Sequence, residues 1–192
     1  MIAVVKYNAG NIKSVSNAVE RLGYECIITD NPEVITRASK VILPGVGEAG
    51  SAMNHLKGLG LDTVIKNLKQ PVLGICLGLQ ILCRHSEEGD AGCMGIFDAS
   101  VKKLPATGIV PHMGWNSFTT VSGLLLKGIN TYDNVYYVHS YCTAKNDSTT
   151  ALTEYLVSFS AAMERDNFFG VQFHPEKSAL TGEKILRNFL EL

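Results

Sequence analysis

Charge is scarce in this 192-residue chain: charged residues make up 18% and the formal net charge is −1. Nothing in that balance attracts a phosphate backbone or an anionic lipid surface, so nucleic acid and membrane are excluded as expected partners. Long hydrophobic runs are also lacking. The most apolar stretch, PVLGICLGLQILC, is 13 residues long and contains Gln80, too short for a membrane span. The opening MIAVVKYNAGN has no basic segment followed by a long apolar one, so no secretory leader is expected. Paired cysteines are missing too. Five of them (Cys26, Cys76, Cys83, Cys93 and Cys142) stand at irregular spacing with no C-x-x-C, which excludes a disulfide framework and a zinc ribbon. A cytoplasmic location, no metal and no cofactor are the expectations that follow.

What is present is globular. Hydrophobic residues make up 46%, and a chain of this length buries roughly 70% of its unfolded surface. With no repeat, low-complexity tract or linker, residues 1–192 read as one domain. Short apolar runs at 2–6, 24–29, 40–44 and 71–76 read as strands. Helical spacing follows the first at Ile12, Val15, Val19 and Leu22, with Gly23 as its stop. Another helix is expected around 50–69, and LGLQILCR reads as a helix directly after the fourth strand. Alternation of this kind predicts an α/β fold with a mostly parallel sheet covered on both faces. The second half is richer in Thr, Ser, Tyr and Val, and 135–141, 150–157 and 168–173 read as added antiparallel strands. ALTGEKILRNFLEL closes the chain as an amphipathic helix carrying Leu180, Ile185, Leu186, Phe189 and Leu190.

The sharpest motif is Gly74-Ile75-Cys76-Leu77-Gly78, at the junction of a strand and a helix. It has the G-x-nucleophile-x-G form of a nucleophile elbow. Glycines relieve the crowding of the turn, and the turn lifts the sulfur to the C-terminal edge of the sheet. The Leu77 N–H then faces a developing oxyanion. Alone, the pentapeptide fits a buried, inert cysteine equally well. Phe173-His174-Pro175-Glu176 follows another apolar strand. Alone it fits a surface turn; beside a cysteine nucleophile it supplies a base, His174, and an acceptor to orient it, Glu176. Pro44-Gly45-Val46-Gly47 also follows a strand and offers a second oxyanion donor. No G-x-x-x-x-G-K-[ST] phosphate loop occurs.

GICLGLQ, FHPE and PGVG, in this spacing, resemble the class I, triad-type glutamine amidotransferases. YNAGNIKSV, PHMGWN (111–116), YYVHSY (136–141) and HPEKS (174–178) narrow the resemblance to the glutaminase subunits of imidazole glycerol phosphate synthases. It runs over essentially the whole chain. It implies a flavodoxin-like open sheet, with Cys76 as nucleophile, His174 as general base and acid, and Glu176 as its orienter. It implies an oxyanion hole at Val46, Gly47 and Leu77. Gln80, Glu88, Ser140 and Tyr141 match positions that hold the α-amino and α-carboxylate groups of glutamine. Asn11, Trp115, Tyr136 and Lys177 match positions facing a (β/α)8-barrel cyclase, bound as a heterodimer. The implied activity is glutamine hydrolysis through a cysteine thioester, with ammonia passed to the cyclase in histidine biosynthesis. The same chemistry feeding a cyclase-like partner in cell-surface sugar amidation is the alternative. Lys6, Asn8 and Cys142 depart from the pattern, which has Asp, Gly and commonly Arg there.

Among the remaining residues, His112 and His139 read as hydrogen-bonded structure and His55 and His85 as surface. Cys83 is expected in the same helix as Cys76, seven positions on and packed in the core. Without the resemblance, Glu88 would be a solvated loop residue.

Overall fold

The computed structural model describes all residues, Met1–Leu192. In chain order the first half holds β1 (Ile2–Val5), α1 (Ile12–Arg21), β2 (Cys26–Thr29), α2 (Pro32–Arg37), β3 (Lys40–Leu43), α3 (Ala49–Gly58), α4 (Leu61–Lys66), β4 (Val72–Ile75) and α5 (Leu77–Leu82). There follow β5 (Cys83–Ser86), β6 (Ala91–Gly92), β7 (Phe97–Lys103), β8 (His112–Ser117), β9 (Thr120–Val121), β10 (Asn134–His139) and β11 (Tyr141–Thr143). The chain ends with β12 (Thr149–Tyr155), β13 (Val157–Arg165), β14 (Phe168–Val171), a 3-10 turn at Pro175–Lys177 and α6 (Ala179–Leu190).

The main sheet has the order β2-β1-β3-β4-β14-β13-β12-β9. Its first five strands are parallel, and β13, β12 and β9 extend it in antiparallel fashion. This is the expected α/β architecture, except that 168–173, read as an added antiparallel strand, holds β14, which runs parallel to β4 and antiparallel only to β13. All four residues of β1 are buried, as are all four of β4. Alternate side chains serve opposite faces: Ile2 and Val4 join the core with α1 and α6, while Ala3 and Val5 join the one with α3 and α4. A strand with an apolar partner on each face must be apolar throughout, which is why these runs do not alternate with polar residues. Two smaller sheets have the orders β10-β8 and β11-β7-β5-β6. No helix is long and apolar enough to cross a membrane.

Several boundaries differ from expectation. The stretch 50–69 is two helices, because Gly60 takes a left-handed φ of 67° between α3 and α4. The helix after β4 stops at Leu82. Cys83 therefore lies not in the helix of Cys76 but at the start of β5, drawn out by parallel pairing with Phe97 of β7. The run 135–141 is interrupted at Ser140, which separates β10 from β11. Helix α2, capped by Asn31 on Glu33 N–H and Val34 N–H, and strands β7, β8 and β13 were not anticipated. In α6, Ile185, Leu186, Phe189 and Leu190 are buried, but Leu180 is 82% exposed: it falls on the solvent face of the first turn. Cys142 is buried in the core rather than on any surface.

Candidate active site

Register builds the site. Leu43 pairs with Gly74 and Ile75 with Val171, so β3, β4 and β14 end side by side. The residues that follow (the PGVG loop, Cys76, and Gln172 to Glu176) leave the sheet together at its C-terminal edge, where parallel sheets place their chemistry. Cys76 has φ 52° and ψ −103°, a conformation that L side chains rarely adopt. The turn around it is so tight that a Cβ on Gly78 would come within 2.0 Å of the Leu43 carbonyl oxygen.

Two of the three expected triad residues, His174 and Glu176, are in direct contact. His174 is fully buried, and its Nδ1 lies 2.8 Å from Glu176 Oε1. The Asn11 side-chain amide donates to the same oxygen. His174 Nε2 and Glu176 Oε2 are buried with no hydrogen-bond partner. Burial works against the charged imidazolium, but the Cys76 charge and Glu176 outweigh it and raise the His174 pKa above its ordinary value. No hydrogen bond yet joins His174 to the sulfur. Cys76 Sγ instead lies 3.8 Å from the Val138 carbonyl oxygen and accepts from Gln172 Nε2 at 3.5 Å. The triad segment is tied to β10 by His174 N–H on the Tyr136 carbonyl at 2.8 Å and Tyr136 N–H on Ser178 Oγ at 2.9 Å.

A pocket of about 230 Å³ opens over Cys76. Val46, Gly47 and Leu77 line one side of it; Gln80, Glu88, Ser140 and Tyr141 line the rest, with Pro111, Val138 and His139. Gln80 is buried with its amide nitrogen committed to Tyr141 O at 2.9 Å and Gln172 Oε1 at 3.1 Å, which leaves its oxygen as its free polar group. Glu88 is half-buried and accepts from Ala49 N–H at 2.9 Å; burial, with help from Glu48, raises its pKa above the usual carboxylate value. The Leu77 N–H points to the Gly45 carbonyl at 3.3 Å, and Gly10 N–H holds the Val46 carbonyl at 2.7 Å. Tyr7 fastens the start of the same loop, its hydroxyl donating to the Pro44 carbonyl. A larger groove of about 490 Å³, between α1 and α6, shares only Glu176 with these residues.

Of the four positions matched to a partner face, Trp115 is 55% exposed and packs edge-on against half-buried Tyr136, 6.0 Å between ring centroids. Lys177 is exposed, whereas Asn11 is half-buried and turned to Glu176. Lys6 pairs with Asp30 at 3.6 Å on the surface, and Asn8 donates to Ser51 Oγ at 2.6 Å. Sequence reasoning passed over Tyr7 and Gln172. The signal for Gln172 was available: a polar residue in the apolar run FFGVQF, two before the histidine.

A family model for class-I glutamine amidotransferases matches residues 3–192. The chain belongs to the class-I glutamine amidotransferase family, and it is an enzyme of that class. Within the family it is 55% identical to imidazole glycerol phosphate synthase subunit HisH of Bacteroides thetaiotaomicron, over 100% of this chain and 99% of that one. HisH of Idiomarina loihiensis is 46% identical over 100% of this chain and 97% of its own. Among solved structures, a crystal structure of a glutamine amidotransferase superposes with a TM-score of 0.78 at 17% identity, covering 99% of this chain and 97% of that one. PurLQS from Thermotoga maritima gives 0.76 at 17% identity, over 99% of this chain and 97% of that chain. At such identities the likeness speaks for the fold alone.

Proposed function

We propose that this chain is the glutaminase subunit of an imidazole glycerol phosphate synthase, hydrolysing glutamine at Cys76 and passing ammonia to a separate (β/α)8-barrel cyclase in histidine biosynthesis. Full-length identity with HisH proteins supports this subunit assignment, and none of those relatives bears a sugar-amidation name. The observation that carries the chemistry is His174: buried, held at Nδ1 by Glu176, and unpartnered at Nε2 beside Cys76. Five free thiols fit work in a reducing cytoplasm.

Cys76 gives its proton to His174 Nε2, and the thiolate sulfur attacks the side-chain amide carbon of glutamine. The carbonyl electrons move to oxygen, where backbone N–H groups of Leu77 and the Val46–Gly47 loop receive the charge. As the intermediate collapses, the C–N bond breaks and His174 returns the proton to the leaving nitrogen, giving ammonia and a thioester. His174 then takes a proton from water; hydroxide attacks the thioester, the C–S bond breaks, and His174 returns the proton to the departing Cys76 sulfur as glutamate leaves. Gln80 Oε1 and Glu88 hold the substrate ammonium, and the Ser140–Tyr141 wall receives its carboxylate. Asn11, at the N-terminal cap of α1, positions Glu176. Trp115, Tyr136 and Lys177 form the face that meets the cyclase, and His174 and Tyr136 are joined through the backbone, so docking there bears on the triad.

One oxyanion donor is not free in the isolated chain, since the Leu77 N–H is spent on the Gly45 carbonyl, and the Val46–Gly47 peptide is held in one orientation by the Gly10 N–H on the Val46 carbonyl. The isolated chain therefore has low glutaminase activity, and partner binding re-orients the loop. The test is glutamate release by the chain alone, then with the cyclase and its ribotide substrate. A large rise with both present, abolished in Cys76→Ala, is the expected result. Release that survives Cys76→Ala would overturn the mechanism. A thioester trapped at Cys76 without any rise would move the enzyme to another partner.

A further inference from the structure

Gln172 reaches the reacting sulfur, and nothing in the triad chemistry uses it. It is fully buried, and as the residue after Val171 it leaves the sheet beside Cys76, which follows Ile75 in the paired strand. Phe173, between Gln172 and His174, packs edge-on against Phe118 and Tyr137.

The orientation of its amide is fixed by a chain of partners. The Tyr141 carbonyl can only accept, so Gln80 presents nitrogen to it. The second hydrogen of that nitrogen goes to Gln172, so Gln172 presents oxygen to Gln80 and nitrogen to Cys76. An amide flip would set nitrogen against nitrogen on one side and oxygen against sulfur on the other.

Resting on the thiolate mechanism above, we propose that Gln172 is a further catalytic residue, whose side-chain N–H stabilises the Cys76 thiolate. Hydrogen bonds to an ionised acceptor are markedly stronger than those to a neutral one. The bond therefore strengthens when the sulfur proton passes to His174, relaxes as the C–S bond forms, and strengthens again when hydroxide expels the sulfur from the thioester. Both half-reactions gain from it. Gln80 acts one step behind, as the positioning residue that keeps the donor turned toward sulfur.

The test is alkylation of Cys76 by iodoacetamide across pH, read from the mass of the Cys76 peptide, in the wild type and in Gln172→Met. Methionine keeps the volume and loses the donor. The pH midpoint of alkylation is expected to rise by about one unit, a roughly tenfold slower reaction at fixed pH below the midpoint. kcat for glutamate release with the cyclase should fall while KM changes little. An unchanged alkylation profile in a folded Gln172→Met protein overturns the proposal. Should that variant fail to fold, the wild type decides: the Gln172 side-chain amide resonance must move with the same pH midpoint as Cys76 alkylation, and its indifference to pH overturns the proposal. Cys76→Ala separates the two readings. If it abolishes glutamate release while Gln172→Met behaves as wild type, the triad stands and only the role of Gln172 falls.

Discussion

His174 and the pair His112–His139 are all buried, yet their pKa values move in opposite directions. His112 stacks between Tyr137 and Tyr155, with ring centroids 4.7 and 4.0 Å away, and Phe159 lies edge-on to both histidines. No carboxylate stands in this cage. His139 Nδ1 faces the Tyr141 carbonyl at 2.8 Å and so carries a proton. Its Nε2 accepts from His112 Nδ1 at 3.0 Å, and His112 Nε2 accepts from Asn116 at 3.4 Å. The chain runs in one direction through two neutral rings. Burial lowers His112 to about 4. It lowers His139 to about 3, with His112 and His174 adding to the effect and the Tyr141 bond opposing it. His174 has Glu176 and Cys76 beside it, and its pKa rises. Burial alone makes a histidine neutral; an adjacent anion decides otherwise.

The comparison breaks most visibly at Glu176. Glu176→Gln removes the anion and should make His174 behave like the caged pair. The cyclase-stimulated kcat should drop by about 10³-fold, within the range for a positioned acid–base group. Steady-state glutamate release checks this, and a loss below tenfold would mean that Glu176 does not hold His174.

The caged pair makes the next largest effect. An unfolded histidine takes up its proton near 6.5, whereas the folded pair does so only near 4 and 3. Between those values the unfolded state binds more protons, so stability falls as pH drops below 6.5. His174 has the opposite sign: its stability is fully present below 6.5 and is lost as pH rises through its folded value. Urea unfolding should show a loss of about 2 kcal/mol per caged histidine from pH 7 to pH 5. A double variant, His112→Gln with His139→Gln, should flatten that slope. An unaltered slope would place the acid sensitivity elsewhere.

A carboxylate can be moved into the cage. Asn116→Asp sets one beside His112 Nε2 and should raise its midpoint by about one unit, visible in a histidine ring NMR titration. The smallest effect belongs to the exposed ion pair of Lys6 and Asp30, both side chains at least half exposed. Lys6→Ala should change stability by less than about 0.5 kcal/mol in the same urea assay.

Much of the architecture was legible because its determinants are local. The buried parallel strands are apolar throughout, and the helices between them keep their spacing. The errors fall where partners distant in sequence intervene. LGLQILCR has a helical pattern up to its end, but pairing with Phe97 pulls Cys83 into a strand. Leu180 looks like a core residue of the last helix, yet the rotation of α6 on the sheet turns it to solvent. The contact of the Asn11 side-chain amide with Glu176, 165 residues away, was likewise beyond local pattern.

The sequence by itself determined the elbow at Cys76 and the chemistry-bearing residues around it. Glycine at 78 is dictated by a backbone approach that no side chain survives, and such steric demands are written at the position where they act. Only the tertiary structure decided which atoms of those residues are free. That Gln172 turns its nitrogen to sulfur depends on Gln80 and Tyr141. The protonation of three buried histidines depends on whether a carboxylate or an aromatic ring arrives from another element. Electrostatics inside a protein is a property of neighbours in space, and those neighbours are assembled only when the sheet is.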